Sequence, residues 1–182
     1  TVDCGMRSIE EAAYAQQIGL DLIITDHHHP SDEMPPALAI INAPASMMYP
    51  EKCPALVTNY GPDDDVLAAK RDNLVAFQNR TGLNINPDAL LYFWPSRLDP
   101  FQKGVELLEQ IIKSFVDKHP NVQIAIVADG IGNDRTHADL FGGIAYGSGG
   151  RIAYQPFNEE LSLLGYAAAC DVFGASLYEP CG

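Results

Sequence analysis

The chain has 182 residues, 47% hydrophobic and 19% charged, a balance that excludes a disordered chain and leaves room for one large domain or a domain with an appended unit. It contains no run of about 18 apolar residues and no basic stretch followed by an apolar one at its start, so neither a membrane span nor a signal peptide is expected, and the cytoplasm is the expected compartment. The formal net charge is −13, and residues 1–42 hold seven acids against Arg7, a field that repels a phosphate backbone and makes nucleic acid an unfavoured partner.

The first 42 residues read as strand, helix, strand and a further apolar run. "TVDCG" is a short strand. "SIEEAAYAQQIG" is a helix, with Ser8 and Glu11 at capping-box spacing and Gly19 as its stop. "LDLIITD" is nearly continuous in apolar, partly β-branched residues, the pattern of a buried strand. Such a β-α-β unit implies parallel strands. From Ala43 to Pro62, the prolines 44, 50, 54 and 62 crowd too closely for a helix and mark a linker.

Strand and helix alternate through the rest. "DDDVLAAKRDNLVAFQNRTG" is a helix with acids at its start and Gly82 as its stop, and "ALLYFWPSR" is a strand. "KGVELLEQIIKSFVDKH" is a helix that places Val105, Leu108, Ile112 and Phe115 on one face and ends before Pro120. "VQIAIVADG" is a central strand, "THADLFGGIAYG" a weaker helix and "RIAYQPF" a strand. "NEELSLLGYAAAC" is a helix capped by Asn158, and "DVFGAS" is the last strand. The expected fold class is α/β, a parallel sheet with flanking helices. The cysteines (4, 53, 170 and 181) form no Cys-x-x-Cys pair and read as reduced thiols.

Two groups of residues carry chemistry. Asp3 and Asp26 end expected parallel strands, the edge where open α/β sheets bind ligands, and His27, His28 and His29 follow Asp26 directly. Carboxylate with neutral imidazole suits Mn, Fe, Co or Zn, and two such metals activate water against a phosphodiester. An exposed polar loop accounts for the histidine run equally well. Arg97 and Lys103 lie six residues apart between a strand end and a helix start, an arrangement suited to a diphosphate, although solvated surface charges have the same spacing. "ADG" offers a close backbone approach at Gly130, and Glu179 follows the last strand at the same edge.

"TVDCG", the helix, "GLDLIITDHH" and "PPALAIIN" resemble the core of the DHH phosphoesterase family, in particular the RecJ-type single-strand-specific exonucleases. That resemblance implies a metal site, with Mn or Mg as the ion, at Asp3, Asp26, His27 and His28, and no role for His29. The family's upstream aspartate-rich motif, its later aspartate and its substrate-binding domain have no counterpart here. Catalysis by residues 1–42 alone is therefore not expected.

"YGPDDDVLAAKRDNLVAFQNRTGLNINPDALLYFWPSRLDPFQKGVELL", "QIAIVADG", "NEELSLLGYAAACDVF" and "SLYEPCG" resemble bacterial glycogen and starch synthases, which are GT-B glycosyltransferases. The resemblance implies a Rossmann-like sheet of the GT-B C-terminal-domain type and a nucleotide sugar, ADP-glucose or UDP-glucose, as donor for α-1,4-glucan elongation. It implies that Arg97 and Lys103 hold the diphosphate and stabilise its departure, that Glu179 of the catalytic site contacts the donor sugar, and that Phe157 lies against the nucleotide, to which Gly130 adds the backbone approach read from its own position.

The organisation expected is a DHH-like segment at 1–42, a linker at 43–62 and a partial nucleotide-sugar-binding domain at 63–182, joined as a fragment or chimera. Both pieces are compatible with a parallel α/β sheet, and whether they share one is left open by the sequence. The synthase's acceptor-binding domain has no counterpart in the sequence, so a glucan acceptor is expected only where that domain is supplied, and activity of the chain alone is not. The alternatives to a donor-binding domain are a metal-dependent phosphoesterase fragment and a folded chimera without catalysis.

Overall fold

The computed structural model describes residues 5–26, 33–42, 49–130 and 135–174. It divides into two compact units, Thr1–Tyr49 and Pro50–Gly182. Among the described residues the strands form two hydrogen-bonded sheets, one per unit.

In the first unit, helix α1 (Ile9–Gln17) leads to strands β1 (Ile23–Asp26) and β2 (Ala39–Asn42), which pair in parallel with Asp26 opposite Asn42. Ser8 occupies the N-cap position but its side chain makes no capping bond. Its backbone ψ of 60° lies outside the extended region from which a hydroxyl reaches back to the helix amides, so the expected capping box does not form. Gly19, at φ +73°, takes the left-handed turn that ends the helix. β1 is shorter than the expected buried strand. Ile24 and Asp26 are buried while Ile23 is exposed, the alternation of a strand with one covered face.

The second unit contains α2 (Val66–Thr81), β3 (Leu90–Leu98), α3 (Val105–Lys118), β4 (Val122–Gly130), α4 (Thr136–Tyr146), β5 (Ile152–Gln155), α5 (Glu159–Ala168) and β6 (Asp171–Val172). All its strand pairs are parallel, in the spatial order β5-β4-β3-β6. Numbered within this unit, that order is 3-2-1-4, the first half of a doubly wound Rossmann sheet and one strand beyond it.

Strand alternation sends successive side chains to opposite faces. Tyr92, Trp94, Ile124 and Ile126 therefore join Val105, Leu108, Ile112 and Val116 of α3 and Phe141 of α4. Leu91, Phe93, Ala125 and Val127 meet Leu74 and Phe77 of α2 and Leu161 and Leu164 of α5. Fully burying one such large side chain contributes about 1.5–3 kcal/mol, which is why the two faces of β3 and β4 hold four helices in place. Asn158 caps α5 as expected, accepting a hydrogen bond from the Leu161 amide at 2.8 Å, and Asp65 caps α2 by accepting from the Ala68 amide at 3.1 Å.

Two expectations are corrected. Val116, not Phe115, completes the buried stripe of α3. Phe115 sits at the margin of that stripe and meets Tyr92 edge-on, with centroids 6.1 Å apart. Among the described residues the last strand covers Asp171–Val172, and Phe173 and Gly174, expected to continue it, lie outside it. The β3–β6 ladder carries Cys170 N–H to the Leu91 carbonyl and Phe173 N–H to the Phe93 carbonyl. Its next bond would come from the N–H of residue 95, which is proline and has none.

The segment before α2 has neither helix nor strand but is anchored. Cys53 and Ala55 are buried, and the buried Asn73 accepts from Val57 N–H at 2.9 Å while donating to the Thr58 carbonyl at 2.8 Å. A second buried amide, Gln78, donates to the Asn86 carbonyl and to Gln123 Oε1 at 2.8 Å each, which fixes the turn from α2 into β3.

Candidate functional site

In a 3-2-1-4 parallel sheet, the chain leaves the first strand for one side and reaches the fourth from the other. Their carboxyl ends therefore open a crevice that nothing crosses. Here that crevice lies beyond the ends of β3 and β6. Among the described residues β6 pairs only with Tyr92 and Phe93 of β3, and Pro95, which has no N–H, cannot donate the next ladder bond.

β3 delivers Arg97 to this edge. The side chain is exposed, and its Nη2 donates to Gln102 Oε1 at 3.2 Å. The loop beyond is a tight turn built on Asp99. Its Oδ1 accepts from the amides of Phe101 at 2.9 Å and Gln102 at 3.1 Å, and its carbonyl accepts the Lys103 amide at 2.8 Å. Lys103 is thereby set immediately before α3. Gly104, at φ +61°, supplies the left-handed residue that starts α3, whose first turn has no side-chain cap. Two cations and an uncapped helix start thus share one short loop, a favourable setting for a dianion.

β4 runs beside β3 with Asp129 in register with Arg97 and Gly130 with Leu98. Asp129 is exposed, and its Oδ1 accepts the Phe157 amide at 3.0 Å, tying the end of β4 to the loop after β5. Phe157 itself is 58% exposed at that edge. Tyr154, on β5, donates its hydroxyl to the Ala128 carbonyl at 3.1 Å. Burial pushes that hydroxyl's pKa up, and the negative charge of Asp129 adds to the rise.

The structure therefore brings Arg97, Lys103, Gly130 and Phe157 to the carboxyl edge of one sheet, on three adjacent strands. Glu179 lies outside the described residues. Sequence reasoning missed Asp129, although "ADG" drew attention to the glycine next to it. It also missed the contact between Glu109 on α3 and His137 on α4. Oε1 and Nδ1 are 2.6 Å apart there, with both side chains largely covered. No local pattern signals a pair separated by 28 positions.

Of the four expected metal ligands, Asp3, His27 and His28 lie outside the described residues. Asp26 is buried at the end of β1, and its Oδ2 accepts the amides of Gly5 at 2.8 Å and Met6 at 2.9 Å. The carboxylate ties β1 to the segment that follows the "DCG" aspartate and holds it in one orientation. Among the described residues no three histidine, cysteine or acidic side chains gather as a metal cluster. No helix among them is long and apolar enough to cross a membrane.

Comparison with known proteins finds the same two resemblances. The family model described as "DHH family, N-terminal domain" matches residues 1–58. The single-stranded-DNA-specific exonuclease RecJ of Bacillus subtilis is 50% identical over 42 residues, 23% of this chain and 5% of RecJ. The glycogen synthase of Nitrosospira multiformis is 33% identical over 144 residues, 79% of this chain and 27% of that protein. Among solved structures, the catalytic domain of starch synthase IV from Arabidopsis thaliana, bound to ADP and acarbose, matches with a TM-score of 0.63 at 25% identity. The match covers 79% of this chain and 29% of that one. The chain thus spans roughly a quarter of the synthases it matches. The chain resembles part of the bacterial glycogen and starch synthases, its second unit has a parallel α/β fold of the GT-B kind, and a short segment of it resembles the core of the DHH phosphoesterases.

Proposed function

We propose that the second unit binds the nucleoside diphosphate of a nucleotide sugar, ADP-glucose or UDP-glucose, as the donor half of a glycogen or starch synthase-like glycosyltransferase. The observation that carries this reading is the placement of Arg97 at the end of β3 and of Lys103 on the turn that follows, at the switch point of the sheet, with Phe157 exposed two strands away.

In glycosyl transfer with retention, the bond between the sugar's anomeric carbon and the diphosphate breaks and leaves negative charge on the leaving group. Fixed cations at that position stabilise the charge as it develops. Arg97 presents a planar fork to phosphate oxygens and Lys103 a compact charge, so the two divide orientation and neutralisation between them. Glu179 contacts the donor sugar, and Gly130 allows the nucleotide close to the backbone. The glucan acceptor is held by parts of a synthase that these residues do not include.

Calorimetric titration of the full chain with ADP, ADP-glucose and UDP-glucose tests the reading. Binding is expected, weakened about tenfold or more by Lys103→Ala and by Arg97→Ala through loss of a charge-assisted hydrogen bond. Undiminished binding in both variants, or no binding to the unaltered chain, overturns it.

The match of residues 1–58 to the DHH domain supports a second reading for the first unit. In it, Asp3, Asp26, His27 and His28 hold Mn or Mg, the donor set suiting Mn better. A bound divalent ion would supply Lewis-acid chemistry toward a phosphodiester, and Asp26 holds its carboxylate ready through the Gly5 and Met6 amides. Mn²⁺ titration followed by calorimetry should show saturable uptake that His28→Ala abolishes. Uptake unchanged by that substitution counts against it.

A further inference from the structure

We propose that Asp129 is a ribose-binding residue. Its carboxylate receives the vicinal hydroxyls of a nucleoside diphosphate whose phosphates lie over Arg97 and Lys103 and whose base lies against Phe157. The inference rests on the nucleotide reading above and adds to it the direction in which the ligand lies and the group that reads its sugar.

Three observations converge on this residue. The first is the order of chemistry along the sheet edge: cations on β3, a carboxylate on β4, and an exposed aromatic ring after β5. Neighbouring strands are about 4.8 Å apart, so the edge runs from positive to negative to apolar over about 10 Å. A nucleoside diphosphate has the same order of groups: anionic phosphate, hydroxyl-bearing ribose, flat base. Laid the other way, it would set its phosphates against Asp129 and the Phe157 ring and its base over two cations, losing the charge pairing and adding repulsion.

The second is topological. Asp129 is the penultimate residue of the second strand in a 3-2-1-4 parallel sheet. Doubly wound folds that bind dinucleotides place an acidic residue there to accept the ribose hydroxyls.

The third is that the side chain is held but not used up. Arg97 is its register partner on the next strand, yet Arg97 donates to Gln102 and not to Asp129. Oδ1 of Asp129 accepts the Phe157 amide, and no other described residue donates to the carboxylate. The same group that would take the ribose thus fixes the backbone of the aromatic residue beside it.

The test is calorimetry on the full chain with ADP, 2′,3′-dideoxy-ADP and inorganic pyrophosphate. The unaltered chain should favour ADP over the dideoxy compound by about tenfold or more, the worth of hydrogen bonds to a charged acceptor. Asp129→Ala should erase that preference and leave pyrophosphate affinity unchanged. Asp129→Asn keeps an acceptor for the Phe157 amide, so it should also reduce the preference, which separates ribose contact from placement of Phe157. A preference that survives both variants, or none in the unaltered chain, overturns the proposal. Absence of any ADP or pyrophosphate binding brings down the nucleotide reading together with it. ADP binding lost on Lys103→Ala with the ribose preference intact in Asp129→Ala removes the Asp129 assignment alone.

Discussion

The ring of Phe93 lies directly against Gly165. A Cβ placed on that glycine would come within 2.6 Å of Phe93 Cζ. Phe93 is fully buried in the centre of the sheet and wedged edge-on between Phe77 and Tyr166, so it has nowhere to retreat. Gly165→Ala should therefore destabilise the second unit by up to about 2 kcal/mol net, since overpacking so rigid a contact costs toward the upper end of about 1–3 kcal/mol. The gain in helix propensity from the same change, about 1 kcal/mol, is too small to offset it. Denaturant midpoints would measure the loss, and Phe93→Leu in the same chain should recover part of it. A Gly165→Ala chain as stable as the original would mean that α5 moves away from the sheet freely.

Asn73 meets four backbone groups with one buried amide. Its Oδ1 takes the Val57 and Thr58 amides at 2.9 and 3.3 Å, and its Nδ2 reaches the Thr58 and Ala69 carbonyls at 2.8 and 2.9 Å. Asn73→Leu is close in volume but leaves partly buried amides unpaired, at about 1–3 kcal/mol for each group that water does not reach. Hydrogen exchange should quicken first at Val57 and Thr58, before any global change. Protection there as strong as in the unaltered chain would show that the segment is held by Cys53 and Ala55 instead.

The alternation of strand and helix was legible because each segment carries its own period. "VQIAIVADG" reads as a central strand from the apolar residues on either side of Gln123, and its first seven residues, Val122–Ala128, are all buried in β4. Arg97 and Lys103 could be placed at one edge because a strand end and a helix start bracket them. What stayed hidden depends on pairs distant in the chain. The bond that β3 cannot donate to the β6 ladder is lost at Pro95, 76 positions before Asp171, and Asp129 gains its position only when β4 lies beside β3. Phe115 was misplaced for a different reason. At the edge of a helical stripe, a large apolar residue and its neighbour fit the period almost equally well, and packing against Tyr92 decides between them.

Asp26 allows a local prediction in the first unit. Removing its carboxylate with Asp26→Ala strips the Gly5 and Met6 amides of their acceptor, and Met6 is almost wholly buried. Exchange protection at those two amides should fall, with a loss of stability of about 1–3 kcal/mol. Asp26→Asn keeps an oxygen acceptor and should lose less. Equal losses in the two variants would locate the importance of Asp26 in its charge and not in these bonds.

Asp117 gives the chain an acid-sensitive clamp. Lys113 reaches its Oδ2 at 2.7 Å, and Arg151 reaches its Oδ1 at 3.1 Å while also donating to the Val116 carbonyl at 2.6 Å, which closes the end of α3. The hydrogen bond from Lys113 is the main cause that holds the Asp117 carboxyl below its ordinary value of 3.8. Desolvation, the next largest effect, opposes it, and the charges of Lys113 and Arg151 add to the lowering. A carboxylate whose pKa is lower folded than unfolded binds fewer protons in the folded state. Its contribution is therefore complete above pH 3.8 and is lost as the pH falls through the folded value. Asp117→Asn should lower stability at neutral pH and leave it unchanged at the acid end, so the two stability curves meet in acid and separate as pH rises to about 4 and beyond. High salt should narrow the gap, because the pair faces solvent. Curves that stay parallel from acid to neutral pH would show that the Asn variant loses packing or capping and not charge.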